Sequence, residues 1–450
     1  MYKKVIILGS GESGVGAALL SKAKGYDTFV SDSNVIAEKY VNELLAAQIP
    51  FEQGLHTEER ILSANLIVKS PGIPDKASIM KSIRAKGIEV ISEIEFAYRH
   101  IIGECKIIAI TGSNGKTTTT LLTHHILTTL GFSVGLGGNI GTSFARQIIQ
   151  EEKEVYVLEL SSFQLDDMST FKAHVAILLN ITPDHLDRYE YKFENYIASK
   201  FKIFKNLTPS DFYITYSEDA VIEKTKGQYT IDARYLPISL TQLHSRGAYS
   251  DGNTIQVYGL DDSIVACNVE GFPISGKHNQ LNIMAAMNAS IAIGADPTKA
   301  FEAIKSFRNV PHRLEFVASI YGVKYVNDSK ATNVDSVWYA LDSMQTPVVL
   351  IMGGVDKGND YTQIASLVKD KVHTIVALGI DNSKVISGFE SLQIEIKEAT
   401  SMVEAIRIAH DSANKGDTIL LSPACASFDL FKNYEDRGNQ FRNLVVELAG

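Results

Sequence analysis

Residues 106–130 read KIIAITGSNGKTTTTLLTHHILTTL: an apolar run, a glycine turn, then Leu122, Ile126 and Leu130 at four-residue spacing, with Gly131 behind them. That order predicts a strand, a tight loop and a helix. Placed between the two, Gly112, Ser113, Asn114, Gly115, Lys116, Thr117 and Thr118 have the chemistry of a phosphate-binding loop. Glycines let backbone N–H groups close around a polyphosphate, Lys116 reaches the outer phosphates, and the Thr117 hydroxyl is available to Mg2+. The turn is tighter than the general pattern, because Ile110 stands where a further glycine is usual. The plainer alternative is a strand-to-helix turn that only happens to hold Gly and Lys.

Other strand ends carry chemistry too. An apolar run at 155–158 ends in Glu159, placed to hold Mg2+ or its water, or else to cap the next turn. The run at 175–179 leads into NITPDHLDRY, whose His185 is a site residue or a solvated loop histidine on equal terms. Lys200 lies on a helical stretch, 193–204, and by itself reads as an ordinary surface lysine. Near the N-terminus Gly9, Gly11 and Gly14 form G-x-G-x-x-G between a strand at 4–8 and a helix running toward Lys24, with Asp32 closing the next strand. This pattern binds nucleotides, or packs a helix on a sheet. Further on, strands at 323–326, 348–352, 374–378 and 418–421 each run into a polar loop. In a parallel sheet these loops share one edge, and Asp328, Ser329, Lys330, Thr332, Lys357 and Ser427 are expected on its rim as a carboxylate or phosphate site.

These elements alternate strand and helix throughout, so the chain reads as α/β. Its 450 residues exceed one ordinary core, and the composition divides at 1–103, 104–310 and 311–450. Residues 211–276 look like short strands and turns without chemistry. A net charge of −9 with no basic run excludes an electrostatic footprint for nucleic acid or anionic membrane. Three scattered cysteines, Cys105, Cys267 and Cys425, suggest neither a disulfide framework nor a zinc site. No apolar stretch is long enough to span a bilayer, and a cytoplasmic protein is expected.

TGSNGKTT at Thr111, ELSSFQL at Glu159, DHLDRY, HN at His278, PHR at Pro311, NDSKATN at Asn327, GGVDKG at Gly353 and SPACASFDLFKNYEDRG at Ser422 together resemble the Mur ligase family, along essentially the whole chain. The resemblance implies three domains: an N-terminal Rossmann-like domain for a uridine nucleotide, a central P-loop ATPase-like α/β domain and a C-terminal Rossmann-like domain for an amino acid. It implies that Glu12, Ser13, Asp32, Ser33, Gly72, Asn139 and His185 meet the UDP substrate, although the place two beyond Asp32, often basic in the family, is Asn34. Asn279, Arg313, Asp328 and Lys330 would join the phosphate loop around ATP. Thr117, Glu159, His185 and a carbamylated Lys200 would hold magnesium, with Lys116, His185 and Lys200 as the catalytic residues. CO2 on a neutral lysine amine supplies the hard oxygen that Mg2+ prefers, where an ammonium repels it. Lys330, Thr332, Lys357, Ser427 and Tyr434 would hold the incoming amino acid. The D-N-P-R type motif of the meso-diaminopimelate-adding members is missing, which favours D-glutamate. The activity implied is ATP-dependent addition of D-glutamate to UDP-N-acetylmuramoyl-L-alanine through an acyl phosphate, by a monomer, in peptidoglycan precursor synthesis. A switch ATPase would leave the lysine-bearing loops without a role, and an NAD dehydrogenase would leave Lys116 without one.

Overall fold

The structure, a computed structural model, describes residues 4–261, 263–308 and 311–449. Three sheets follow one another along the chain. The first holds β1 (Lys4–Leu8), β2 (Asp27–Asp32), β3 (Phe51–Gln53), β4 (Leu66–Lys69) and β5 (Glu89–Ser92), all parallel, in the order β3-β2-β1-β4-β5. Its order reverses between β1 and β4, the place where open parallel sheets form a crevice at their carboxyl ends. The glycines after β1 serve this crevice directly. Gly9 has φ +90°, and a Cβ on Gly14 would sit 2.0 Å from the Gly9 carbonyl oxygen, so the helix Glu12–Ala23 starts hard against the strand end.

The second sheet contains β6 (Lys106–Thr111), β7 (Val134–Gly138), β8 (Val155–Glu159), β9 (Val175–Leu178), β10 (Phe212–Tyr216), β11 (Arg234–Ser239), β12 (Ala248–Ser250), β13 (Thr254–Tyr258) and β14 (Ile264–Asn268). Their order is β14-β13-β12-β11-β10-β9-β6-β8-β7, parallel up to β12, after which β12, β13 and β14 form an antiparallel meander in which β13 alone runs against the rest. β6 lies at the switch point, flanked by β8 and β9, so the loop after it opens at the crevice of this sheet. The third sheet holds β15 (Glu315–Ile320), β16 (Val323–Asn327), β17 (Val348–Gly353), β18 (Val372–Leu378), β19 (Glu395–Ala399) and β20 (Thr418–Ala424), ordered β15-β16-β20-β17-β18-β19, with β15 antiparallel. The central strands are apolar and fully buried, as β17 VVLIMG is along its whole length, which is the pattern of parallel strands covered on both faces.

The first two sheets belong to one compact unit, which runs to Phe272 and resumes over Asn279–Phe307; Pro273–His278 and the chain from Arg308 onward form the second. Inside the first unit the two sheets are fastened by buried charge. Glu95, with no exposed surface, accepts hydrogen bonds from Arg99, Ser169, Thr170 and Phe171. Lys69 pairs with Asp167 at 2.8 Å, both almost fully buried. Glu93 accepts from Ser143 and from the Ala145 N–H. The helices Glu12–Ala23 and Phe144–Gln150 also touch so closely that a Cβ on Gly16 would meet Ser143 Oγ at 2.0 Å. No helix among the described residues is long and apolar enough to cross a membrane.

Candidate active site

β6 delivers Gly112 to the crevice with φ +155°, and Gly115, with φ +82°, leads into the helix Lys116–Thr129 without a side-chain cap. A side chain at Gly112 would press on Leu179 Cβ at 3.0 Å. The glycine conformations therefore bring the positive end of that helix to the crevice, where an anion is favoured. The loop is pinned from below: Asn114 N–H donates to Asn180 Oδ1 at 2.8 Å, Asn180 Nδ2 donates back to the Asn114 carbonyl, and Ser113 N–H donates to the Asn180 carbonyl. Asn180 stands in the NITPDHLDRY stretch, and its side chain holds the loop's shape, a role that no spacing rule announces. Thr117 and Thr118 are buried at the base of the helix. Lys116 Nζ bends back onto the Gly112 and Ser113 carbonyls, at 2.7 and 2.8 Å.

Lys200 is no surface lysine. It is 1% exposed, its Nζ donates to the same Gly112 carbonyl at 2.8 Å, and the ammonium lies 4.7 Å from the Tyr196 ring centroid. Burial pushes its pKa well below the ordinary lysine range and the charge of Lys116 adds to this, while Asp184, Glu159 and Asp166 pull the other way. Glu159, at the end of β8, is 1% exposed; Oε1 accepts from Asn139 Nδ2 at 2.9 Å, and Oε2 has no hydrogen-bond partner among the described residues. Gly138 makes this approach possible, since a Cβ there would lie 2.1 Å from the Glu159 carbonyl oxygen. An orphaned carboxylate oxygen beside a phosphate loop fits a hard cation such as Mg2+. No three His, Cys, Asp or Glu side chains converge on a metal position among the described residues. His185 sits in a left-handed turn, φ +53°, its ring against Phe163 and its Nε2 3.5 Å from Asp184; about half of its side chain is exposed.

At the switch point of the first sheet a cavity of about 640 Å3 is lined by Glu12, Ser13, Asp32, Ser33 and Gly72, with His56 and Ser10 beside them. Asp32 takes the Ser10 N–H and Oγ on one oxygen and the Asn34 N–H on the other. Burial works against its ionisation, but these hydrogen bonds outweigh it and hold the carboxyl below its usual range. Glu12 is more tied than the sequence suggests: it accepts from Arg146 Nε and the Ser143 N–H. Arg188, stacked on Phe163, donates to the Pro71 and Gly72 carbonyls and so fixes the far wall. A second cavity, about 440 Å3, shares Pro74 with the first and runs to Phe163 and Asp166.

Asn279, the last candidate of the first unit, is buried on the helix Lys277–Ala292 and accepts from Asn282 Nδ2. In the second unit backbone bonds tie the candidate loops together. The Ala424 N–H donates to Ala331, and Val355 and Ala426 bond each other, which gathers the loops bearing Lys330 and Thr332, Lys357, and Ser427. Lys357 is exposed, and Lys330 Nζ lies 5.5 Å from the Tyr434 ring centroid. Three of the expected rim residues are buried rather than exposed on the rim. Ser329 has no exposed surface, because its hydroxyl donates to the Tyr434 carbonyl and accepts from Arg437. Asp328, 1% exposed, accepts from Leu314 N–H and Ser422 Oγ; burial raises its pKa to about 6, against the pull of Arg313. Ser427, too, is almost fully buried. Arg437, which the sequence does not single out, is the buried staple of these loops, with bonds to Ser329 and the Cys425 carbonyl.

Known proteins share both sequence and fold with this chain. Residues 3–92 match the family model of the Mur ligase MurD-like N-terminal domain, 110–290 the Mur ligase middle domain, and 312–425 the Mur ligase glutamate ligase domain. The UDP-N-acetylmuramoylalanine--D-glutamate ligase of Cytophaga hutchinsonii is 77% identical over the full length of both chains. Enzymes of the same name from Porphyromonas gingivalis strain W83 (99% of this chain, 98% of that one) and Christiangramia forsetii (all of both) are 50% and 48% identical. Among solved structures, a pseudomurein peptide ligase type C from Methanothermus fervidus superposes with TM-score 0.64 at 18% identity, covering 99% of this chain and all of the other. The UDP-N-acetylmuramate-alanine ligase MurC of Thermotoga maritima gives 0.61 at 18% over the whole of both. With the phosphate loop, the three sheets and these matches spanning nearly every residue, the chain belongs to the Mur ligase family.

Proposed function

We propose that the protein joins D-glutamate to UDP-N-acetylmuramoyl-L-alanine at the expense of ATP. The reading is supported by the names of its full-length relatives, and the observation that carries it is the convergence of Lys116, Lys200 and the orphaned Glu159 oxygen about one phosphate loop. A carboxylate is a poor electrophile, so it must first take the γ-phosphoryl of ATP. The amine of D-glutamate then attacks the acyl phosphate, the C–N bond forms, and phosphate leaves with its electron pair. The work of the chain is positioning and charge compensation. The N-terminal turn of the helix Lys116–Thr129 and the Lys116 ammonium hold the transferring phosphoryl, Lys116 exchanging the Gly112 and Ser113 carbonyls for phosphate oxygens. Thr117 and Glu159 would hold Mg2+, which when bound would offset negative charge on the transferring group.

Lys200, whose pKa burial pushes well below the lysine range, is the residue to take up CO2: its amine lone pair would form the N–C bond, a proton would leave to solvent, and the carbamate would, with His185, hold a second Mg2+. The uridine nucleotide occupies the larger cavity against Asp32, Ser33 and Gly72, with Ser13 and Asn139 near its phosphates, and the sugar-peptide arm follows the second cavity toward Phe163. The loops of the second unit bind the amino acid, through Thr332, Lys357, Ser427 and Tyr434. Asn279, Arg313, Asp328 and Lys330 serve the nucleotide of ATP.

The test is phosphate release with ATP, Mg2+ and UDP-N-acetylmuramoyl-L-alanine, comparing D-Glu with L-Glu, D-Asp, L-Lys and meso-diaminopimelate. Release that needs both the nucleotide substrate and D-Glu is expected. Release with a different amino acid would reassign the acceptor, and release indifferent to both substrates would overturn the ligase reading. Equilibrating the protein with 13C-bicarbonate should add a carbamate resonance that Lys200→Ala lacks.

A further inference from the structure

The stretch 211–276 reads as scaffold, yet together with the helix Lys277–Ala292 it walls a cavity of about 220 Å3. This cavity is at the wrong edge of the sheet for the ligase reaction. Phe212, which begins β10, is in register with Val175 and through it with Ile108, whereas the phosphate loop leaves β6 after Thr111, at the opposite ends of the same parallel strands. We propose that the cavity binds a small organic anion with an apolar body.

Three observations carry this. Asn288 lines the cavity at 2% exposure, and its Nδ2 has no hydrogen-bond partner among the described residues. A buried amide without an acceptor costs stability unless something fills the role. Arg234 and Arg246 also line the cavity, both exposed, and no described carboxylate does. Arg234 spends one nitrogen on the Pro209 carbonyl and stacks on Phe212, 5.2 Å from the ring centroid, so its remaining N–H groups stay available. Phe212, Leu236 and Ile291, each less than a tenth exposed, complete the wall. Guanidinium groups in the exposed part select a carboxylate or phosphate, the apolar wall takes a hydrocarbon or aromatic body, and Asn288 takes an acceptor at the buried end. The volume is below the roughly 300–1,000 Å3 of sites for drug-sized ligands, so the occupant is small.

The experiment is ligand-observed NMR titration of the full chain with benzoate, beside benzamide, which keeps the ring without the charge, and inorganic phosphate, which keeps the charge without the ring. Benzoate is expected to bind with a dissociation constant on the order of 1 mM, about tenfold tighter than either control. Arg246→Ala, an exposed change, should weaken benzoate about tenfold and leave D-glutamate-dependent phosphate release unchanged. Asn288→Leu, checked for folding by its unfolding transition, should abolish binding. Equal affinity for benzamide would overturn the anion, and equal affinity for phosphate would overturn the apolar body. Absence of benzoate binding, or binding indifferent to Arg246→Ala, would overturn the site.

Discussion

The Gly112 carbonyl accepts hydrogen bonds from two lysines, Lys116 at 2.7 Å and Lys200 at 2.8 Å. Burial, and after it the charge of Lys116 on the same oxygen, pushes the pKa of Lys200 well below the ordinary lysine range. In the proposed reaction Lys116 is the charge that meets phosphate. Lys116→Ala should lower D-glutamate-dependent phosphate release by about 10²–10³-fold, the range for losing one preorganised donor to a transition-state anion; a loss of less than about tenfold would remove Lys116 from that role. At Glu159, whose Oε2 has no hydrogen-bond partner among the described residues, Glu159→Gln should raise the Mg2+ concentration for half-maximal rate by about 10–100-fold, with little effect on the apparent affinity for the uridine nucleotide. An unchanged Mg2+ titration would say that the carboxylate only anchors Asn139.

The short helix Glu93–Tyr98 carries two glutamates with opposite fates. Glu93 is buried and its pKa is raised to about 7, chiefly by burial, with Ser143 and the Ala145 N–H opposing. From its ordinary value of 4.5 up to about 7 the folded chain holds a proton there that the unfolded chain has lost, so stability falls as pH rises through that window, by about 3 kcal/mol in all. Glu93→Gln should flatten this part of the Tm against pH curve. Glu95 is held below its ordinary value because hydrogen bonds from Thr170, Arg99 and Phe171 overcome the burial that opposes them. Its contribution is present above pH 4.5 and is lost as pH falls through its lowered folded value. Glu95→Gln should therefore lower Tm at neutral pH and blunt the loss in acid; parallel curves for wild type and both variants would refute the assignment. On the neighbouring helix, Gly16→Ala should cost about 1–3 kcal/mol, since the new Cβ lands on Ser143 and one of the two helices must move.

Across the whole molecule, what could be read from the sequence was whatever repeats along a strand or a loop. β6, β8, β9, β17 and β20 announce themselves as apolar runs, and TGSNGKTT carries its chemistry in its spacing. β7, VGLGG, has too little apolar character to be read as a strand, and the antiparallel β15 and the last strand β19 are half-exposed edges without a buried run. The burial of Lys200, which only the family resemblance singles out, and the role of Asn180 were illegible for another reason. Burial is a property of what packs around a residue, and nothing in the chain near Lys200 says that a phosphate loop will lie over it. The same holds for Glu95, whose partners at 169–171 lie some 75 positions on. A fragment of residues 1–103 would thus keep every strand of its sheet while leaving Glu95 and Lys69 without Thr170 and Asp167. It should show no cooperative thermal transition, whereas a fragment reaching residue 307 should. That seam also sets an order in time. On a ribosome adding about 5–20 residues per second, Phe171 emerges several seconds after Glu95. Through that interval the newborn first sheet carries its charges bare, and its assembly waits on chain not yet made.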